Sequence, residues 1–268
     1  MDAFAGIDVS FAKNKYLPIS ICTFNNGRIY PLPLKSKKGL VPPRGYGNAA
    51  IVQNNEMVKN FVESALQYLR EVEREFKVKI KRIAIDAPST PKIEGSGRRE
   101  AEKGLDGRGI NCIATPSTKQ FDEICKKARL HLEKGGAESK IPHANQLWML
   151  VGFELFKILR QQWECIEVFP QAIVAMLGCA QIHKSKSQGL LRQLSATASF
   201  TGWPEIISKS SLLEIGYGSF HDKLDAYLSA WVASLENYQR APIGRLPDDV
   251  IWVPVVRSAW NNKRERKK

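Results

Sequence analysis

The sequence lacks several features that would assign it to a particular protein class. No apolar run approaches the roughly 20 residues of a membrane span, and the segment Met1-Asp2-Ala3 has no basic region before an apolar stretch, so no signal peptide is expected. The five cysteines and four histidines are scattered, and no C-x-x-C pair occurs. We therefore expect neither a zinc site nor a disulfide framework, and we predict a cytoplasmic protein with reduced thiols and no membrane association.

Acidic residues are outnumbered by basic ones. The chain has 40 Lys and Arg against 27 Asp and Glu, which gives a formal net charge of +13. The terminal segment 263–268 contributes five basic residues and one acidic residue, so the remaining chain keeps a charge of +9. Because such a surface favours a polyanionic partner, we predict nucleic acid, DNA or RNA, with an anionic metabolite or no polyanion at all as the alternatives. The basic tail is expected either to add affinity or to be a disordered, solubilising end.

The pattern of apolar residues predicts an α/β protein with a mixed central sheet, an opening antiparallel meander and flanking helices. Residues 35–53, rich in Lys, Pro and Gly, predict a loop. The expected strands lie at 3–9, 16–24, 28–34, 80–86, 110–114, 164–169 and 250–254. The expected helices lie at 55–76, 117–134, 142–161, 171–178, 187–198 and 221–238.

Acidic residues occur at the ends of predicted strands. Asp8 closes the first apolar strand, and Asp86 closes the strand at 80–86. If these two strands are parallel neighbours, both side chains lie at the edge where open α/β sheets bind ligands. Glu167 interrupts a later strand, while Asp222 and Asp225 share one face of the last helix. Each acid alone is equally compatible with a solvated or helix-capping role, Asp222 in particular.

Burying carboxylates together is costly unless they are compensated. Two of them about 4 Å apart repel by roughly 4 kcal/mol at an effective dielectric constant near 20. A divalent cation relieves this repulsion, and Mg²⁺ prefers carboxylate oxygens. The acidic set therefore points to a metal-dependent enzyme that acts on phosphodiesters.

Four short segments follow one another along the chain within about residues 3–235. They are Gly6-Ile7-Asp8, Ile85-Asp86-Ala87-Pro88, Glu167-Val168-Phe169-Pro170 and Asp222-x-x-Asp225-Ala226. In this order they resemble signature segments of domain-of-unknown-function family 429, a group of predicted nucleases with an RNase H-like fold. The last segment is also similar to the final helix of RuvC-type Holliday-junction resolvases.

The resemblance implies a function and a set of site residues. It implies Asp8, Asp86 and Asp225 as metal ligands, with Glu167 and Asp222 nearby as further catalytic residues. Mg²⁺ or Mn²⁺ would be the cofactor of a two-metal phosphodiester hydrolysis, with the ions about 3.5–4 Å apart. The implied organisation is an RNase H-like nuclease domain over residues 1–240, followed by an extension over 241–268 that ends in the basic tail.

Five basic residues are candidates for phosphate contact. Two of them follow the glycine-rich segment 95–97, which predicts either a phosphate-binding loop or an ordinary loop that leads into a helix. The others follow the Glu167 strand and are equally compatible with a solvated face. The candidates are Arg98, Arg99, Lys184, Lys186 and Arg192.

Four apolar residues near the middle of the chain and one histidine near its end have simple structural interpretations. Trp148, Phe153, Leu155 and Phe156 are predicted to be core residues, not a base-stacking platform. His221, beside Asp222, is compatible with a general acid or a neighbour of the metal, but a helix-start histidine without such a role is the favoured interpretation.

Two other functional classes remain open. The segment Gly6-Ile7-Asp8-Val9-Ser10, with Lys13 nearby, looks similar to the first phosphate loop of sugar kinases with an actin-like fold. No second Asp-x-Gly phosphate loop follows, which weakens that alternative. A non-catalytic RNase H-like protein that binds nucleic acid is the other alternative, although it has little use for acidic residues in a basic groove.

Overall fold

A computed structural model describes residues 1–247 and 249–256 of the chain. Over these residues the strands form one five-stranded mixed sheet, in the order β3-β2-β1-β4-β5, and one two-stranded sheet, β6-β7. The strands are β1 (Asp2–Asp8), β2 (Ile19–Asn25), β3 (Arg28–Pro31), β4 (Lys79–Asp86), β5 (Glu164–Glu167), β6 (Arg240–Arg245) and β7 (Asp249–Pro254).

Helices flank both faces of the five-stranded sheet. Short 3-10 turns lie at Leu34–Ser36, Glu138–Lys140 and Lys209–Leu212. The α-helices are α1 (Asn48–Gln53), α2 (Asn55–Phe76), α3 (Glu100–Asp106), α4 (Thr118–Glu133), α5 (Ala144–Leu159), α6 (Pro170–Met176), α7 (Ser187–Thr201) and α8 (Phe220–Ser234). The mixed α/β architecture with flanking helices is thus the one that the sequence predicts.

The first three strands form the predicted antiparallel meander. β1 pairs antiparallel with β2, and β2 pairs antiparallel with β3. The β2–β3 turn places Asn26 and Gly27 at φ values of 49° and 74°, as a two-residue hairpin turn requires. β4 runs parallel to β1, and β5 runs parallel to β4. The carboxyl ends of β1, β4 and β5 therefore meet at one edge of the sheet.

Alternation along the strands divides the core into two layers. Ala5, Ile7 and Ile85 belong to the layer that contains the apolar stripes of α2 and α5. Phe4 and Ala84 pack in the other layer, beneath α8. Because successive side chains point to opposite faces, the last residue of β1 and the last residue of β4 are directed toward the α8 side. That direction determines where their carboxylates lie.

Glycine permits α8 to lie against the sheet. A Cβ atom at Gly6 would lie 2.0 Å from the carbonyl oxygen of Ala226 and 2.2 Å from the amide nitrogen of Ala230. Only glycine allows the backbones of β1 and α8 to approach so closely. The helix is buried along almost its whole length, from Lys223 to Ser234. Such close packing brings the first turns of α8 to the carboxyl ends of β1 and β4.

Several predicted elements match the structure closely. The helix predicted at 55–76 is α2, which Asn54 caps by accepting a hydrogen bond from the backbone N–H of Glu56 at 3.1 Å. Leu155 and Phe156 lie in the core with at most 1% exposure. Trp148 is half-buried: it packs against the main core, as predicted, and it also lines a cavity.

Other predicted elements need correction. The predicted loop at 35–53 contains α1, whose residues 49–52 are all buried, so tertiary packing stabilises a helix too short to show periodicity. Residues 110–114 form no strand, because they pair with no neighbouring strand of the described sheets. β6 is absent from the predictions because Pro242 and Gly244 depress its strand propensity. It pairs antiparallel with β7, which corresponds to the strand predicted at 250–254.

The predicted boundary at residue 240 falls inside β6. The β6–β7 hairpin packs on α3, α6 and β5, and Ile243, Ile251 and Val253 form a small core with residues of α3. The hairpin is therefore part of the packed structure and not a separate extension. The basic tail predicted at 263–268 lies outside the described residues.

All five cysteines are free thiols, as the sequence predicts. Three of them, Cys112, Cys125 and Cys165, are half-buried, and Cys22 and Cys179 are buried. Among the residues that the structure describes, no helix combines the length and apolar character needed to cross a membrane.

Candidate metal centre

Three aspartates from separate elements meet at the carboxyl edge of the sheet. Asp8 ends β1, Asp86 ends β4, and Asp225 lies in the second turn of α8. One carboxylate oxygen from each residue lies within 4.8 Å of the corresponding oxygens of the other two. Asp225 is buried, and the other two are half-buried. These residues, called the acidic cluster below, are the three that the family resemblance implies as metal ligands.

Helix capping explains why Asp225 belongs to the cluster and Asp222 does not. Ser219 is the N-cap residue of α8, and its side chain accepts from the backbone N–H of Asp222. In return, Asp222 Oδ2 accepts from the backbone N–H of Ser219 at 2.9 Å, which completes a capping box. Asp222 Oδ1 lies 3.1 Å from His221 Nε2. The carboxylate of Asp222 thus caps the helix, and its negative charge still contributes to the raised pKa of Asp8 in the neighbouring cluster.

Burial and mutual repulsion favour protonation of the cluster. Burial, followed by the charge of Asp225, raises the pKa of Asp86 to about 8. Burial also raises the pKa of Asp8 well above its ordinary value, with further contributions from Asp225, Asp86 and Asp222. The pKa of Asp225 is raised by burial, against the opposing effect of Lys184. The three carboxylates therefore need positive charge to be ionised together at neutral pH.

Lys184 supplies part of that charge. It lies between α6 and α7, and its ammonium group donates to Asp225 Oδ2. Burial alone would lower the pKa of Lys184, but the nearby carboxylates of Asp225, Asp8 and Asp86 raise it. Lys184 was predicted as a phosphate contact, and the structure places it inside the acidic cluster. The sequence did not predict this ion pair between Lys184 and the acidic cluster, because a run of lysines does not indicate that one of them is buried.

The cluster offers carboxylate oxygens as ligands for a divalent ion, and one of these oxygens has no other partner among the described residues. Asp225 Oδ1 is buried and has no hydrogen-bond partner among the described residues. Oxygens bound to one Mg²⁺ at about 2.1 Å can be up to about 4.2 Å apart, close to the 4.8 Å limit within the cluster. Carboxylate oxygens are also the donors that Mg²⁺ and Mn²⁺ prefer. The donor set therefore fits such an ion.

Glu167 lies apart from this ligand set. Its carboxylate accepts two hydrogen bonds from Arg99, from Nη1 at 2.9 Å and from Nη2 at 2.8 Å, and one from the backbone N–H of Ser89 at 2.8 Å. Arg99 Nε also lies 3.0 Å from Asp249 Oδ1. Burial raises the pKa of Glu167, and the guanidinium of Arg99 opposes that shift. The pair joins β5, α3 and β7, which indicates a structural role.

The other predicted phosphate contacts differ in accessibility. Arg99 is only 4% exposed and its guanidinium is engaged by Glu167 and Asp249, so its position does not support phosphate contact. Arg98 is half-buried and pairs with Glu102 and Asp106 at 3.6 and 3.0 Å. The loop at 95–97 thus leads into α3 as an ordinary helix-leading loop. Lys186, the N-cap residue of α7, and Arg192, the sixth residue of that helix, are both exposed.

A cavity of about 440 Å³ adjoins the cluster, and the two share Asp86. Trp148 and Met149 of α5 and Ile251 of β7 contribute apolar walls. α5 approaches the sheet closely here, because a Cβ atom at Gly152 would lie 2.5 Å from that of Ala87. No single segment of the sequence shows this cavity, since its walls come from distant parts of the chain.

Residues 47–249 match the family described as Protein of unknown function (DUF429). The match covers well over half of the chain. The chain belongs to this family. The match contains Asp86, Glu167, Asp222 and Asp225, whereas Asp8 precedes it. Comparison with curated proteins and with solved structures found no match. The description of DUF429 names no activity, so a function for this member has to be argued from its site.

Proposed function

We propose that this DUF429 protein is a metal-dependent nuclease that hydrolyses phosphodiester bonds of DNA or RNA. The observation that carries the proposal is the convergence of Asp8, Asp86 and Asp225 within 4.8 Å, from two neighbouring strand ends and one helix. Three buried or half-buried carboxylates at a ligand-binding sheet edge are unfavourable without a cation. Lys184 supplies part of the positive charge that such an arrangement needs, and a bound metal ion would supply the rest.

The topology supports an RNase H-like assignment. The sheet order β3-β2-β1-β4-β5 combines an antiparallel meander with two parallel strands added on the other side of β1. In the proposed assignment, β1 and β4 each end in a ligand and the last long helix supplies the third. The assignment rests on strand order and on the position of the acids, and it is a fold analogy.

The proposed roles follow from the geometry of the side chains. The acidic cluster would hold Mg²⁺ or Mn²⁺, which supplies activation of the attacking water and stabilisation of the leaving oxygen. Lys184 holds positive charge at Asp225 when no ion is bound, and it is close enough to face a phosphate that approaches the cluster. His221, 3.1 Å from Asp222, lies at the exposed start of the same helix, within reach of the proposed site.

The surface charge supports a nucleic-acid substrate. The chain carries a net charge of +13, and +9 without residues 263–268. Lys186 is the N-cap residue of α7, two residues after Lys184, and Arg192 is the sixth residue of that helix. Because phosphate contacts supply most non-specific affinity for nucleic acid, these two residues are the proposed backbone contacts beside the cluster.

A non-catalytic nucleic-acid-binding protein is the second candidate. It is favoured by the ion pair between Lys184 and Asp225, because an internal ammonium group can partly neutralise the cluster without any metal. A protein of this kind would bind nucleic acid with the same basic surface and would cleave nothing.

The test is cleavage of labelled single- and double-stranded DNA and RNA with Mg²⁺ or Mn²⁺, beside an EDTA control. Asp8→Asn and Asp225→Asn should each lower the cleavage rate by more than about 100-fold, because even partners outside the ligand set commonly contribute 10- to 100-fold. Asp122→Asn, on the exposed face of α4, is the matched control and should leave the rate unchanged. Binding without metal-dependent cleavage of any substrate would favour the second candidate.

A further inference from the structure

The cavity beside the acidic cluster has the size of a small-molecule site. Its volume of about 440 Å³ lies toward the lower end of the roughly 300–1,000 Å³ of such sites. A nucleic-acid duplex cannot enter a space of this size, but a single base can. Asp86 lines the cavity and also belongs to the acidic cluster. An occupant of the cavity would therefore lie next to the proposed reaction centre.

The charges around the cavity favour a neutral occupant. Three carboxylates, those of Asp86, Glu102 and Glu167, face the single guanidinium of Arg99. Arg99 is already engaged by Glu167. Glu102 pairs with Arg98 at 3.6 Å and accepts from the backbone N–H groups of Thr115 and Arg99 at 2.7 and 3.3 Å. A phosphate inside the cavity would lie beside three carboxyl groups, and the one guanidinium that lines the cavity is already paired. The anionic part of a ligand must therefore stay outside, on the basic surface.

The walls suit a flat, partly polar ring. Trp148 is half-buried, packs against the main core and lines the cavity, and Met149 and Ile251 extend the apolar surface. Two polar side chains line the same space without hydrogen bonds to other described residues: the hydroxyl of Thr115, which is 2% exposed, and the exposed amide of Asn111. An amide offers both a donor and an acceptor, as the edge of a nucleobase requires.

We propose that this cavity binds one unpaired nucleobase of the substrate, with Trp148 as the stacking surface and Asn111 and Thr115 as hydrogen-bonding partners. The inference rests on the proposed nuclease function and names its substrate class: single-stranded nucleic acid, or a strand with one unpaired base beside the bond that is cut. The phosphates of that strand lie over the acidic cluster and next to Lys186, while the base occupies the cavity.

The first experiment needs neither metal nor cleavage. Binding of adenosine, guanosine, cytidine and thymidine to the full chain in EDTA is measured by ligand-observed NMR. At least one nucleoside should bind. Trp148→Ala should weaken that binding by roughly 5- to 150-fold, the range for loss of one base–aromatic stack, and Trp148→Phe should retain most of it. Tyr238→Ala is the matched control, because Tyr238 is 79% exposed and does not line the cavity.

The second experiment scans the position of the base within a substrate. Single-stranded oligonucleotides that carry one abasic site at successive positions are bound to the Asp8→Asn variant, which keeps the cavity. Affinity should fall at one position only, and Trp148→Ala, added to the same variant, should abolish that position dependence. Asn111→Ala should reduce the preference of the cavity for one base over another. Because Asn111 is exposed, this variant also provides a second test if Trp148→Ala lowers the melting temperature.

The outcomes separate this inference from the proposed function. Nucleoside binding that depends on Trp148 supports the base site even if no cleavage is found, in which case only the nuclease proposal fails. Absence of nucleoside binding, or binding and abasic-site profiles unchanged in Trp148→Ala and Asn111→Ala, overturns the base site even if Mg²⁺-dependent cleavage is robust.

Discussion

Asp8 and Asp86 are direct register partners at the carboxyl ends of two parallel neighbouring strands. Their side chains point to the α8 side of the sheet because both strands alternate with the same phase. α8 then adds Asp225 from above, through the close approach at Gly6. Repulsion within the acidic cluster is therefore built into the pairing of β1 with β4, and it should be measurable.

Neutralising one member of the cluster should stabilise the metal-free protein. Asp8→Asn is expected to raise the free energy of unfolding in EDTA by about 1–3 kcal/mol at pH 8, less than the roughly 4 kcal/mol of a fully ionised pair about 4 Å apart. Mg²⁺ should raise the melting temperature of the wild type and have a smaller effect on the variant. Asp122→Asn is the control, and a wild-type melting temperature indifferent to Mg²⁺ and Mn²⁺ would contradict the metal site.

The stability of the metal-free protein should depend on pH through Asp86. Its pKa is about 8 in the folded protein and about 3.9 in an unfolded chain, so between these values the folded state binds the extra proton. The contribution to stability is complete below about pH 4 and is lost as the pH rises to about 8, by up to about 1.4 kcal/mol per pH unit. Urea unfolding at several pH values should show a shallower decline for Asp86→Asn than for the wild type.

Lys184 should stabilise the protein without metal and oppose metal binding. Lys184→Met leaves Asp225 buried without its partner, so the free energy of unfolding in EDTA should fall by about 3 kcal/mol. The increase in melting temperature on adding Mg²⁺ should be larger than in the wild type, since no ammonium group competes for the carboxylate. Lys186→Met, two residues away and outside the cluster, is the matched control. An unchanged response to Mg²⁺ would show that Lys184 does not share the metal's position.

The contributions of Arg99 and Glu167 to the free energy of unfolding should be coupled. Arg99→Met strands a buried carboxylate and is expected to cost about 3–5 kcal/mol. The double variant with Glu167→Met should be more stable than either single variant, because it leaves neither of the two charges unpaired. Urea unfolding of the four proteins forms a double-mutant cycle. Additive losses would argue against coupling of the two residues.

Removal of the basic tail should weaken binding without abolishing it. A chain that ends at residue 262 keeps the +9 charge of the body and should still bind nucleic acid at low salt. The logarithm of the binding constant falls linearly with the logarithm of the salt concentration. The magnitude of that slope should decrease by about 0.7–0.9 for each phosphate contact that the truncation removes. Cleavage should survive, because no proposed ligand lies beyond Asp225. If the truncated chain is folded but no longer cleaves, the acidic cluster alone is not the catalytic site.

Local sequence signals were sufficient for the long, strongly periodic elements. α2 coincides with the predicted helix at 55–76, and the Asn26-Gly27 turn and the strand ends at Asp8 and Asp86 follow from local residue types. The short α1 and the β6 strand were missed, because burial and pairing with distant residues stabilise them and local propensity does not.

The sequence by itself determined which carboxylates terminate buried strands and which lie on the last helix, because alternation and helical spacing are local properties of the chain. Only the tertiary structure decided how each one is used. Asp225 joins the acidic cluster, Asp222 caps its helix, and Glu167 is paired with Arg99. Likewise, the turn of Lys184 inward and the exposure of Trp148 to a cavity depend on residues far away in the sequence. The physical reason is that pairing, desolvation and cavity shape arise from contacts between distant segments, which no single segment encodes.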